Sequence, residues 1–353
     1  MATPSAPAGS APMADGARWM QGLHPRRRTL LGALALGSGA SALGRPALAQ
    51  GLPAGWPDRP IRFIVGFAAG GPTDVLARRA AQGFQEILGQ PIVVENRPGA
   101  AGNIGSETVL RAAPDGYTVL VANSGQVVIN PHTYERMTFD PMVDLLPVAK
   151  MTTGPFLFTI NSDLGVSNHA DLVALLKRRP DAFKYASTGA GGITHVVTEM
   201  WRNRVGVATE PVHFRGTAAA IPDVLAGRTP LFFDGVQQLG PHVQSGKLRA
   251  ILLTDTKRTP VMPDVPTSKE VGLDDFAVQS WFAMYAPRGT PRAIIDRLSE
   301  VNRRVMSAPA LTERYAGENV TTDPSTPEQL AQLGRQYSAM FGEAVRAFNI
   351  RAE

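Results

Sequence analysis

The chain has 353 residues, 44% of them hydrophobic and 18% charged, a balance that suits a globular protein of about two domains and excludes a disordered one. Cysteine is absent, which removes disulfides, thiolate nucleophiles, Cys-ligated zinc, iron–sulfur clusters and a lipid-anchored Cys. The formal charge of +5 would, if spread over the folded body, point to nucleic acid or an anionic membrane.

Most of that charge sits near the start. After a Pro/Ala/Ser/Gly tract come Arg26-Arg27-Arg28-Thr29-Leu30-Leu31, an uncharged Ala/Leu/Gly stretch to Gly44, and Ala47-Leu48-Ala49. A basic region, a short apolar region and a small-x-small site make residues 1–49 an N-terminal extension and export signal. Arg27-Arg28 before Leu30-Leu31 fits the twin-arginine type, with an ordinary secretory signal as the alternative. Residues 1–49 hold five arginines and one aspartate, so the remaining 304 carry 30 basic and 29 acidic residues. The nucleic-acid reading loses its support, and a periplasmic protein not inserted in the membrane is expected.

The remaining chain alternates strand and helix. Ile61–Phe67 is β-branched and aromatic, a strand. Val75–Leu88 places Leu76, Ala80, Phe84, Ile87 and Leu88 on one helical face. Strands follow at 92–95 and 118–122, with a helix at 103–112 between them. The alternation resumes with strands at 156–160, 184–186, 212–214, 231–233, 249–253 and 278–286. Helices fall at 168–179, capped by Asn168, and at 194–203, 217–226 and 236–244. Helices 291–306, 309–316 and 327–348 end the chain, each opening on or near a proline. Such alternation argues for mostly parallel sheets flanked by helices. Two βα units with a helical tail folding back on the first give two lobes. Chain crossings are expected near 151–156 and 278–285, with 50–154 plus 279–353 as lobe 1 and 155–278 as lobe 2.

Two loops stand out. Gly70-Gly71-Pro72-Thr73-Asp74 joins a strand to a helix. Its glycines admit close backbone approach, and the helix N-terminus offers free N–H donors to an anion. Thr73 can donate a hydroxyl. Asp74 is either a first-turn acid of the helix or a partner for a ligand amine or hydroxyl. Ser187-Thr188-Gly189-Ala190-Gly191-Gly192-Ile193-Thr194-His195 repeats the arrangement, with Thr188 and Thr194 as hydroxyl donors. His195 is either a carboxylate donor or a capping histidine. Gly99 to Gly105 reads G-x-x-G-x-x-G, not the dinucleotide pattern G-x-G-x-x-G, and a tight turn before a helix accounts for it. No H-E-x-x-H, G-x-S-x-G or Walker loop occurs, so no enzyme, metal or cofactor is expected.

Trp56-Pro57-Asp58-Arg59-Pro60-Ile61 with the 70–74 loop, Val94-Glu95-Asn96-Arg97-Pro98-Gly99-Ala100, Ala113-Pro114-Asp115-Gly116-Tyr117 and Ala286-Pro287-Arg288-Gly289-Thr290-Pro291 resemble the Bug receptors, periplasmic solute-binding proteins of tripartite tricarboxylate transporters. The resemblance runs in order through the chain after residue 50. It implies a two-lobed α/β periplasmic binding protein of the type II Venus-flytrap kind, binding a small carboxylate between its lobes. The implied contacts are Gly70, Gly71, Thr73, Asp74 and Ser124 in lobe 1. In lobe 2 they are Thr188, Gly189, Gly192, Thr194, His195, Arg215, Thr217 and Asp234. Arg215 stands where a lysine is frequent in the family, and its bland alternative is a solvated surface arginine. The implied partners are a mono- or dicarboxylate, aromatic or amino acid, and a membrane permease, for a monomeric receptor. A ligand-dependent co-receptor for a sensor is the rival reading, and a periplasmic hydrolase a remoter one.

Overall fold

The computed structural model describes residues 51–180 and 182–352; the expected export segment lies outside the described residues. Three parallel strands open the fold: β1 (Ile61–Val65), β2 (Ile92–Asn96) and β3 (Thr118–Asn123). Between them lie α1 (Pro72–Leu88) and α2 (Asn103–Leu110). Helix α1 buries Leu76, Ala77, Ala80 and Phe84, and Phe84 meets Phe63 of β1 edge-on with centroids 5.2 Å apart. It ends at Gly89, whose left-handed backbone (φ 70°) lets its N–H reach Gln85 O. Three short helices follow β3: α3 (Ser124–Val128), α4 (Asn130–Thr133) and α5 (Pro141–Asp144).

Strand β4 (Leu145–Asn161) then runs for 17 residues. The sequence reading has a strand only from Phe156, and the difference has a physical cause. Pro147, Gly154 and Pro155 interrupt the apolar pattern, and the pairing register slips twice, between Pro147 and Ala149 and between Lys150 and Thr152. The second sheet region contains β5 (Lys184–Ser187), β6 (Glu210–His213), β7 (Leu231–Gly235) and β8 (Leu248–Leu253). Its helices are α6 (His169–Arg178), α7 (Ile193–Val205), α8 (Thr217–Leu225) and α9 (Val236–Gln244). Asn168 caps α6 by accepting from Asp171 N–H at 2.9 Å, as its residue type suggests. The chain ends with β9 (Gln279–Pro287), α10 (Arg292–Met306), α11 (Pro309–Gly317), β10 (Thr321–Thr322) and α12 (Pro327–Ala347).

Strand directions decide where a site can form. β9 runs against β3 and β4 runs against β9, so β4 runs the same way as β1, β2 and β3. From Phe156 onward β4 pairs antiparallel with β7 and β8, and β5 and β6 run parallel to β7. The carboxyl ends of β1 and β3 therefore point along β4 toward the second region, and those of β5, β6 and β7 point back. Asn123, the end of β3, is level through Phe282 with Thr152 of β4. Gly235, the end of β7, is level with Phe156. The two sets of ends are thus about four residues of β4 apart, roughly 13 Å at the usual rise.

In the helical tail, α10 packs on α1 and β4, and α12 touches β4, α3, α4 and also α7. Leu330, Phe341, Val345 and Ile350 share one apolar cluster with Val127 and Val128 on one side and with Val196 and Val197 on the other.

Candidate functional site

Loop 70–74 follows β1. Gly70 takes φ 81°, a turn that suits only a residue without Cβ, and Gly71 is the N-cap of α1. Asp74, 2% exposed, folds the loop from within. One of its oxygens accepts from Gly70 N–H at 2.9 Å and from Arg78 Nε at 3.1 Å, and the other accepts from Asn96 Nδ2 at 2.9 Å. Burial raises its pKa, but these donors outweigh burial and hold it below the ordinary value. Three residues thus hold the Asp74 carboxylate in the first turn of α1. Asn96, which the sequence analysis passed over, lies in the Glu95-Asn96-Arg97-Pro98 stretch and also donates to Phe67 O at 3.0 Å. Thr73 is buried beside Asp74. Asp74→Asn places an amide against these donors; a loss of about 1–3 kcal/mol is expected in urea unfolding.

Ser124 opens α3 at the end of β3 and is fully buried. Its neighbour Gly125 touches the second region: a Cβ there would come 3.1 Å from Cβ of Ile193, the first residue of α7. Gly191 is pressed likewise, since a Cβ on it would lie 2.8 Å from Cβ of Thr133 and from Cβ of Ala352. The N-terminal turns of α3 and α7 are therefore in contact.

Loop 187–195 is held by its own hydroxyls. Thr194 Oγ1 accepts from Thr188 N–H at 2.8 Å and lies 3.0 Å from Thr188 Oγ1. Gly189 has φ 150° and Gly191 φ 66°, and Gly192 is the N-cap of α7. Ser187 Oγ sits 2.6 Å from Nδ1 of His213. His195 Nδ1 accepts from Gly191 N–H at 3.0 Å, so the neutral ring carries its proton on Nε2. Burial, then the charges of His213 and Arg202, push its pKa down to about 4.

The third group lies at the ends of β6 and β7. Gly216, with φ 100°, is the N-cap of α8 and Thr217 its first residue. Thr217 Oγ1 donates to Asp234 at 2.6 Å, and Gly235 N–H donates to the other oxygen at 2.7 Å. Burial nonetheless pushes Asp234 up to about 6, against those two donors. Arg215 is exposed. The structure thus joins Gly70 with Asp74, Thr188 with Thr194 and Thr217 with Asp234, and brings α3 against α7.

Residues 76–350 match the family described as tripartite tricarboxylate transporter family receptor. The chain belongs to the TctC family. BugT of Bordetella pertussis is 34% identical over 275 residues, covering 78% of this chain and 84% of BugT. The periplasmic binding protein BugD is 31% identical over 84% of this chain and 100% of BugD, with TM-score 0.78. MatC from Rhodopseudomonas palustris with bound malate is 29% identical over 82% of this chain and 100% of MatC, with TM-score 0.77. TctC-family members are two-lobed periplasmic solute-binding receptors, not enzymes. Among the described residues no helix is long and apolar enough to cross a membrane, and no group of His, Asp and Glu could hold a metal.

In this TctC-family chain Gly66, Gly102 and Gly105 interlock. A Cβ on Gly66 would lie 2.7 Å from Gly102 Cα, and one on Gly105 would lie 2.6 Å from Gly66 Cα. The 99–105 glycines serve close packing of α2 on the end of β1, in keeping with the turn reading.

The histidine shift has a sign. Folding depresses the pKa of His195 from 6.5 to about 4, so the unfolded chain binds the proton first. Its contribution to stability is complete above pH 6.5 and is lost as pH falls through about 4, by about 3 kcal/mol. Asp234, raised to about 6, acts in the opposite sense, contributing at low pH and losing that contribution as pH rises through 6. The difference between the wild type and His195→Asn isolates the histidine, because an Asn oxygen can still accept from Gly191 N–H. Urea midpoints between pH 7 and pH 4 should fall more steeply for the wild type; parallel curves would refute the assignment.

Proposed function

We propose that the chain captures a small carboxylate, with dicarboxylates first among candidates, between loops 70–74 and 187–195, and delivers it to a membrane permease of a tripartite tricarboxylate transporter. The observation that carries this reading is the opposition of the two sets of strand carboxyl ends, each leading into helix N-termini. α1 and α7 there offer backbone N–H groups, with the hydroxyls of Thr73, Thr188 and Thr194 beside them. Helix N-termini favour anions, and the crevice outside strand carboxyl ends is where open α/β sheets bind ligands. A body close to neutral after residue 49 leaves the attraction to these local groups. The malate bound to MatC supports the ligand class.

Lobe 1 in this reading comprises 50–154 with 279–353, and lobe 2 comprises 155–278. They hinge where β4 passes Gly154-Pro155 and where the chain enters β9 at Gln279. Ligand bridging both lobes shifts the hinge toward closure by its higher affinity for that form. Export by the twin-arginine route accompanies the proposal. Micromolar binding needs about −8 kcal/mol, within reach of several charge-assisted hydrogen bonds of about 1.5–3 kcal/mol each. Calorimetry on protein unfolded and refolded to free it of carried-over ligand, against malate, adipate, benzoate and glutamate, tests it. Binding of at least one is expected; no heat from any carboxylate would sink the proposal.

A further inference from the structure

Helix α12 carries a hollow on the face turned to α4 and α5. Gly334 and Gly342 leave room there for side chains of those helices. A Cβ at Gly342 would lie 2.8 Å from Cε1 of His132, and one at Gly334 would lie 3.0 Å from Cε of Met142. Between them Ser338 Oγ meets His132 Nε2 at 2.8 Å. The cavity measures about 390 Å³ and its rim includes Asp140, Arg335 and Arg346. None of the residues assigned above to the carboxylate lines it.

The charges around this hollow are unbalanced. The carboxylate of Asp140 is engaged as the cap of α5, accepting from Met142 N–H at 2.8 Å. Arg335 and Arg346 are exposed, and neither is in an ion pair among the described residues. Arg292 and Arg351, by contrast, pair with Glu328 and Glu135. The two arginines are eleven residues apart on one helix, about 16 Å along its axis. That separation suits two carboxylates about four or five residues apart on an extended segment better than one small ion. Val143, next to Met142, is 55% exposed and adds an apolar contact at the edge.

We propose that this hollow is a docking site for an acidic segment of a partner protein, with carboxylates on Arg335 and Arg346 and an apolar side chain against Met142 and Val143. Guanidinium groups take carboxylates in bidentate geometry, and exposed pairs of this kind weaken with salt. The proposal is independent of what the loops at the strand ends bind. A fluorescent hexaglutamate peptide, followed by anisotropy with the full chain, tests it. Saturable binding is expected, at least ten-fold weaker in the Arg335→Ala, Arg346→Ala double variant. The Arg303→Ala, Arg304→Ala variant removes the same charge from α10 and should bind as the wild type does. Equal losses in both variants, no saturable binding, or displacement by millimolar malate or inorganic phosphate would overturn the proposal. Malate calorimetry on the Arg335, Arg346 variant reports separately on the carboxylate site.

Discussion

Trp201→Ala is expected to lower stability by about 3–5 kcal/mol, the largest effect of any single substitution considered. Trp201 is fully buried on α7. Its ring centroid lies 4.6 Å from Phe158 of β4 and 6.0 Å from Phe233 of β7. Those two phenylalanines are themselves stacked at 4.1 Å, with planes 2° apart. Truncation leaves a cavity beside two stacked, rigid rings that cannot both move inward. It also removes the donor to His169, whose Nε2 accepts from Trp201 Nε1 at 3.0 Å. Because α7 begins at the Thr194 loop, ligand affinity should fall as well, more at 37 °C than at 10 °C. Urea unfolding at pH 7 measures the first effect; a loss under about 1 kcal/mol would mean that α7 is not anchored through this ring. Trp201→Phe should recover more than half of the loss, since it keeps a ring in the same place.

Thr194→Val is expected to weaken carboxylate binding roughly 10- to 100-fold, corresponding to about 1.5–3 kcal/mol, with a far smaller effect on stability than Trp201→Ala. The substitution keeps the shape of the side chain and deletes one hydroxyl. That hydroxyl accepts from Thr188 N–H and orients Thr188 Oγ1. Without it the loop loses the bond that aims two donors at once, and a freed N–H must turn to solvent. Thr188→Ala removes one hydroxyl but leaves the Thr188 N–H bonded to Thr194 Oγ1, so its effect should be the smaller of the two. Calorimetry with the best ligand of the panel compares them. Wild-type affinity in Thr194→Val would place the carboxylate elsewhere.

Much of the fold was legible before any coordinate. The first strand, read at 61–67 and formed at 61–65, and the helix read at 75–88 follow from apolar periods, which bury one face whatever surrounds them. The first half of β4 was not legible, because Pro147, Gly154 and Pro155 look like loop residues until the pairing with β9 slips register beside Pro147 and takes Gly154 and Pro155 in register. The short α3, α4 and α5 lack the two or three turns that make a period visible. At the site, the Gly-rich loops and their threonines were legible as residue types between strand and helix. The work of Asp74 was left open, and only its three partners around one buried carboxylate showed how it holds the loop.

By itself the sequence determined composition, the near-neutral charge beyond residue 49, the βα alternation and the glycine positions, because these depend on residue type and short-range spacing. Family membership was likewise written in linear motifs. Only the tertiary structure decided that the strand ends at Asn123 and Gly235, far apart in the chain, face one another across roughly 13 Å. It also decided that Gly125 rests on Ile193 and that α12 binds both halves into one apolar cluster. Those relations come from the antiparallel pairing of β4 with β9 and β7, a long-range match of backbone hydrogen bonds that no local pattern records.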